Sequence, residues 1–173
     1  MTEAVEPITP FDLVNAAEAD YAALHRFTSR LRLELLPDDP LTPLEIAISA
    51  WRNTPAFNTT TVGVVWRGPE IVARGQVVCA NVGENTHIAQ VMIHVAPDAR
   101  RHGLGRWLLA HAAGVARAAG RRVVIGETSG RVPAGGAFAE RVGATPGLEA
   151  QTYQLALATV DCDRIRHWQE GAQ

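Results

Sequence analysis

From Ala16 to Leu36, apolar residues return at three- and four-residue steps (Tyr21, Leu24, Phe27, Leu31, Leu35), which predicts a helix. A short strand, Ile8 to Val14, broken by Pro10, is expected before it. Pro37-Asp38-Asp39-Pro40 stops the helix. Thr42, Pro43 and Glu45 then form the pattern of a capping box, with Thr42 as N-cap. A second helix should run from there to about Arg52, with Leu44, Ile48 and Trp51 on one face. The pattern changes to β-branched runs from Thr59 to Trp66 and from Ile71 to Val82, with Gly75 as a candidate bulge. A third run, Thr86 to Val95, completes an antiparallel meander. Helical spacing resumes from Gly103 to Ala119, with Leu104, Leu108, Ala112 and Val115 inward and Gly120 as the stop. Arg122 to Glu127 is short and apolar at its centre, the kind of strand buried inside a sheet. Strand, helix and strand make one βαβ unit, so 86–95 and 122–127 should be parallel. Pro133 to Val142 reads as a helix, Ala150 to Ala158 as a last strand and Asp161 to Gln169 as a detached terminal helix.

Composition adds limits. The 173 residues, 47% hydrophobic and 20% charged, suit one globular domain. No apolar run reaches the ~18 residues of a membrane span, and Glu3 and Glu6 stand where a secretory leader would be basic, so a bacterial-type cytoplasm is the expected compartment. Cys79 and Cys162 lack metal-ligand spacing, and no metal is expected. The net charge of −2 hides an asymmetry: residues 1–50 hold nine acids against three Arg, and residues 100–141 hold eight Arg against two acids.

That basic half begins at the most informative stretch. The strand ends at Val95-Ala96-Pro97, the loop carries Arg100, Arg101, His102 and Gly103, and the helix opens with Leu104, Gly105 and Arg106. A helix N-terminus exposes unpaired N–H groups and the positive end of its dipole, which together favour an anion. Glycine lets a ligand approach the backbone, and arginine matches phosphate oxygens. A P-loop is excluded, since the chain has no lysine, and the spacing does not fit a dinucleotide fingerprint.

Arg100-x-x-Gly103-x-Gly105 behind Val95-x-Pro97 resembles the acetyl-coenzyme A signature of the GNAT superfamily, the Gcn5-related N-acetyltransferases. The element order is similar from about residue 8 to residue 158. The resemblance implies an α/β fold with a mixed central sheet of about six or seven strands and helices on both faces. It implies a single domain over 1–158, with 159–173 a helical tail or the start of an interdomain linker. It also implies acetyl-CoA as cofactor, with its pyrophosphate on the amides from Arg101 to Arg106, beside Arg100. Pantetheine would lie along Ile93, His94 and Val95, in a splay between the two parallel strands. Residues 126–144 resemble the family's second cofactor motif, with Ala139 where many relatives have the Tyr proposed as the acid, Ala144 for the final Phe and Val132 where Asn is common. Pro37-Asp38-Asp39-Pro40, Gly126-Glu127-Thr128 and Val142 to Gly147 are similar to the N-terminal halves of actinobacterial tandem GNAT proteins. In those, a segment like Val160 to Ile165 leads toward a second GNAT domain.

Acetyl transfer to an amine needs a base, and the strand Glu common in the family is absent here. His94 is one candidate, against a His satisfied by a neighbouring backbone group. Glu127, at the end of the parallel partner strand, is the other, against an ion pair with Arg100 or Arg131. Tyr153 is weighed as the acid against a core or edge Tyr, and His102 reads as loop surface. The leading function is an acyl-CoA-dependent N-acyltransferase moving acetyl to a primary amine of a small molecule; the alternative is a coenzyme-binding, non-catalytic module, a sensor or scaffold. Neither nucleic acid nor membrane is an expected partner. A homodimer or a second GNAT domain is open as an assembly. Glu34, Asp38, Asp39 and Glu45, with no counter-charge nearby in sequence after Arg32, favour a cationic acceptor such as a polyamine or amino-sugar. The competing reading is a solvated helix stop.

Overall fold

The computed structural model describes residues 6–153 and 155–171. Its strands are β1 (Ile8–Pro10), β2 (Asn58–Arg67), β3 (Glu70–Ala80), β4 (Ile88–Val95) and β5 (Val123–Ile125). They form one sheet in the order β1-β2-β3-β4-β5. β1 to β4 pair antiparallel and β4 pairs β5 in parallel, as the βαβ reading requires. The helices are α1 (Glu18–Leu35), α2 (Leu44–Arg52), α3 (Leu104–Ala118), α4 (Pro133–Arg141) and α5 (Cys162–Gly171). The compact unit closes at Gly143, and the described residues from Ala144 onward form a second unit.

Alternation along β3 and β4 gives the sheet two unlike faces. Gly75, Val77 and Cys79 of β3 pair with Ile93, Val91 and Ala89 of β4. Val77, Cys79, Ala89 and Val91 are buried with Ala112 and Ala116 of α3 in one cluster. Gly75 suits this packing, because a Cβ there would lie 3.2 Å from Leu108 Cδ2, which would have to shift by a few tenths of an ångström. The opposite face carries Arg74, Gln76, Val78, Gln90 and Met92, all half-buried, and His94, which is exposed. Toward β2 that face closes: Val62 and Val64 pair with Gln76 and Arg74 and are buried. They join Tyr21, Leu24 and Phe27 of α1 in the main core. Tyr21 stacks on Trp51 of α2 and its hydroxyl donates to Leu13 O at 2.8 Å, which anchors the first two helices.

Several expectations are corrected. The sheet has five strands among the described residues rather than six or seven, because 150–158 holds no strand there and Leu157–Thr159 is a turn of 3-10 helix. β1 is short, Ile8–Pro10, although the Phe11 N–H still donates to Val62 O of β2 at 2.9 Å, so Pro10 removes no bond to β2. The bulge is at Val72, since Val65 pairs Ala73 and Trp66 pairs Ile71. The capping box does not form: Pro43 is the N-cap without a side-chain bond, and the Thr42 carbonyl instead accepts a 2.7 Å bond from His25 Nε2. Among the described residues β5 is the last strand of the sheet, and Val123, Val124 and Ile125 are 43%, 42% and 49% exposed rather than buried. An apolar run reports that cover is wanted; it does not supply the neighbouring strand.

Within residues 144–173, α5 is capped by Asp161, whose Oδ1 accepts the N–H of Asp163 and of Arg164 at 3.1 and 2.9 Å. Arg164 lies over the Trp168 ring at 4.9 Å, and Arg166 pairs with Asp163. Tyr153, weighed above as an acid, belongs to this unit, where its hydroxyl donates to Gln151 Oε1 at 2.8 Å. Among the described residues no helix is long and apolar enough to cross a membrane. No group of three or more His, Cys, Asp or Glu among them could hold a metal ion.

Candidate functional site

β4 outruns its parallel partner. Pairing with β5 covers Ile88, Ala89 and Gln90 and ends at Ile125, while β4 continues to Val95. At Gly126 the backbones are still close, since a Cβ there would meet Val91 O at 3.1 Å. Beyond it the two chains are no longer paired. On the β3 side the Ala96 N–H donates to Val72 O at 2.8 Å. An antiparallel ladder alternates, so the N–H groups of Ile93 and Val95 point away from β3, toward the gap left by β5. Three residues named from the sequence, Ile93, His94 and Val95, thus lie along an open strand edge.

The chain then turns through a 3-10 segment, Pro97–Ala99, into the arginine-rich loop. Arg101 and Gly103 both take left-handed backbone, φ 71 and φ 84. Gly103 is the N-cap of α3 and offers no side chain to its N–H groups. The first α3 bond at that end runs from Trp107 N to Gly103 O at 3.1 Å. The N–H groups of Leu104, Gly105 and Arg106 have no partner among the described residues, as expected of a first helical turn. A Cβ at Gly103 would meet nothing within 4 Å, so the space before these donors is open. Gly105 faces Phe138 of α4, whose Cε2 would stand 3.4 Å from a Cβ. Arg101, His102 and Arg106 are exposed and make no ion pair among the described residues. Unpaired backbone donors with exposed cations beside them suit an anion such as a pyrophosphate.

Arg100 is differently placed. Its Nη1 and Nη2 reach Glu34 Oε1 and Oε2 at 2.6 and 2.5 Å, and its Nε donates to Val95 O at 3.1 Å. The fork is therefore spent on clamping the C-terminal end of α1 to the end of β4. Hydrogen bonding from Arg100 holds the Glu34 carboxyl below its usual range, and the same contact raises the Arg100 pKa. Asp39 in turn pairs with Arg32 at 2.9 Å. Two of the four carboxylates read as unpaired in the sequence are thus neutralised. The partner of Glu34 was invisible in sequence, Arg100 lying 66 positions away, whereas Arg32 lies close to Asp39 along the chain.

The two candidate bases are not equivalent. His94 stands on the polar face of β4, opposite Arg74. Although the residue reaches solvent, the protein atoms crowded around its ring desolvate it, and that first, then the Arg74 charge, lowers its pKa below the ordinary 6.5. Its imidazole is therefore neutral, and able to accept a proton, through the neutral pH range. Glu127 lies two residues past β5, exposed, and forms no ion pair among the described residues. The loop there is tied instead by Arg131, whose Nη1 donates to Leu35 O at 3.2 Å. Sequence reasoning passed over Arg74 and Gln76. Their signal was two polar residues two apart in an otherwise apolar strand, hence on one face.

Residues 58–143 match the family model described as an acetyltransferase (GNAT) domain. Solved structures agree in fold. A putative acetyltransferase from Agrobacterium tumefaciens str. C58 is 19% identical, with TM-score 0.63 over 86% of this chain and 99% of its own. A tandem GNAT protein from the clavulanic acid biosynthesis pathway is 22% identical, with TM-score 0.60 over 79% of this chain and 43% of its own. AAC(6')-Iy in complex with the bisubstrate analog CoA-S-monomethyl-acetylneamine is 12% identical, with TM-score 0.61 over 88% of this chain and 99% of its own. No curated protein sequence matches the chain significantly. With the matched residues spanning the β4 edge, the arginine-rich loop, α3 and α4, residues 58–143 form a domain of the GNAT superfamily.

Proposed function

We propose that the protein is an acetyl-CoA-dependent N-acetyltransferase acting on a primary amine of a small molecule. The observation that carries this is the continuity of an open β4 edge with the unpaired N–H groups of Leu104, Gly105 and Arg106. Those groups, with Arg101, His102 and Arg106 around them, would hold the coenzyme's phosphates. The N–H groups of Ile93 and Val95 would hold pantetheine and donate to an oxygen that gains negative charge. Acetyl-CoA, once bound, supplies a thioester whose acyl carbon an amine can attack. The chain's own part is positioning and one proton. A ring nitrogen of His94 takes the proton that the amine sheds as the N–C bond forms and the C–S bond breaks. Glu127 is the second candidate for that proton. Arg100 is a positioning residue, fixing Val95 through its carbonyl.

A second reading, a coenzyme-binding module without turnover, is favoured by Ala139 on α4, where many relatives carry the acid. The test is thiol release from acetyl-CoA across a panel of primary amines, in wild type, His94→Gln and Glu127→Gln. Turnover that falls roughly 10²–10⁴-fold in one variant assigns the base. Coenzyme binding with no thiol release from any amine would establish the second reading.

A further inference from the structure

The polar face of β3 and β4 carries a cation that no carboxylate among the described residues neutralises. Arg74 stands between Val64 of β2 and His94 of β4 in the sheet register. Its Nη2 donates to Gln76 Oε1, a neutral group. Its Nε is buried with no hydrogen-bond partner. No carboxylate among the described residues pairs with it. The residues sharing its face on β3 and β4 are Gln76, Val78, Gln90, Met92 and His94, none of them acidic. Arg100, one strand and a turn away, shows what a satisfied arginine looks like here: two carboxylate oxygens and a carbonyl. Burial brings the Arg74 pKa down to about 10, which leaves it charged at neutral pH. A half-buried guanidinium with a bare Nε and no counter-charge is costly, and an arriving anion removes that cost.

Resting on the acetyltransferase reading, we propose that Arg74 recognises an anionic group, carboxylate or phosphate, on the acceptor amine. Both groups offer a guanidinium the same pair of oxygens. Adjacent strands are about 4.8 Å apart, so an anion held over β3 sets the amine beside His94 and the open edge of β4. Gln76 and Gln90 add neutral hydrogen-bonding groups to the same face. The acceptor is then an amino acid or an amino phosphate rather than the cationic amine that the acidic N-terminal region suggested. The ion pairs of Glu34 and Asp39 weaken the ground for that earlier expectation.

The experiment compares acceptors that differ only in the anion. An amino acid is set against its carboxamide, an O-phosphorylated amino alcohol against the free alcohol, and a polyamine is the third arm. Thiol release from acetyl-CoA is followed in wild type, Arg74→Gln and Arg74→Lys. The expected result is a kcat/KM preference of roughly 10- to 100-fold for one anionic member. Arg74→Gln abolishes the preference and Arg74→Lys keeps part of it; the two pairs separate carboxylate from phosphate. Equal rates within both pairs, a polyamine preference, or a preference that survives in Arg74→Gln overturns the proposal. Where no amine turns over, NMR decides: the N-acetylated products of the anionic amines should shift the His94 ring signals saturably in wild type and not in Arg74→Gln. Absence of the wild-type shift then overturns it. Calorimetry with acetyl-CoA reports separately on the acetyltransferase reading, so the two failures are distinguishable.

Discussion

The two faces of the β3–β4 pair come from the same residues taken alternately, and they differ in nearly every physical respect. Under α3, Gly75, Val77, Cys79, Ala89 and Val91 are buried and apolar, and Leu108 of the helix packs closely against the glycine. On the other side Arg74, Gln76, Gln90, Met92 and His94 remain half-buried or exposed, with one arginine nitrogen left without a partner. The first face supplies stability and fixes the position of the loop at the end of β4. The second is the face to which the proposed function assigns the chemistry, and Arg74 on it is incompletely satisfied by the described residues. A period of two along the strand thus separates scaffold from site without any extra element.

Substitutions on each face should therefore fail differently. The largest expected effect is on the covered face. Leu108 is 0% exposed against Gly75, and Leu108→Ala should cost about 2–5 kcal/mol in chemical denaturation, from lost burial and the cavity left behind. On the polar face His94→Gln should leave the denaturation midpoint nearly unchanged and lower kcat by roughly 10²–10⁴-fold. Equal losses of stability in both variants would dissolve the distinction between the faces.

The pH profile sharpens the same comparison. With its pKa lowered, first by desolvation and then by Arg74, His94 becomes protonated only below the ordinary value of 6.5. The acidic limb of kcat/KM should accordingly fall below pH 6.5 in wild type and move upward in Arg74→Gln, which removes the like charge. A limb that stays in place would separate His94 from the base role.

The smallest effect expected is at the clamp between α1 and β4. Glu34→Gln removes one partner of a partly exposed pair and should cost about 1 kcal/mol, less at high salt. The Glu34 pKa is depressed in the folded state, so its contribution is present above the ordinary 4.5 and is lost as pH falls through the folded value. Acid titration of wild type and variant should converge below that range, and Arg100, charged throughout it, adds no slope there.

Much of this was legible in the chain. The helices from α1 to α4, the meander, the parallel pair and the glycine–arginine loop follow from periodicity, β-branched runs and glycine spacing. What was not legible depended on distance or on competition. The partner of Arg100 is 66 residues away, so a clamp read as a phosphate ligand. Thr42 could have capped α2, but Pro43 takes the N-cap position and His25 takes the Thr42 carbonyl. β5 is apolar enough for a sheet centre, yet no strand beyond it is found among the described residues. Arg74 was passed over in the sequence; only the register, which sets it against His94 on a face of β3 and β4 with no acid among the described residues, gives it meaning.

The central claim is that the start of α3 and the open edge of β4 form one coenzyme site. Gly105 tests it better than Gly103. A side chain at Gly103 strains a backbone at φ +84 before it meets any ligand, whereas Gly105 has an ordinary backbone and a Cβ would touch Phe138 at van der Waals distance. Glutamate in the first turn of α3 also suits the helix dipole, so Gly105→Glu should fold at least as stably as wild type. Calorimetric titration of acetyl-CoA into the two proteins is the direct measurement. The account predicts saturable binding to wild type and a loss of roughly 100-fold or more in Gly105→Glu, from charge repulsion and the filled approach to the N–H groups. Equal affinity in a folded Gly105→Glu protein would contradict it.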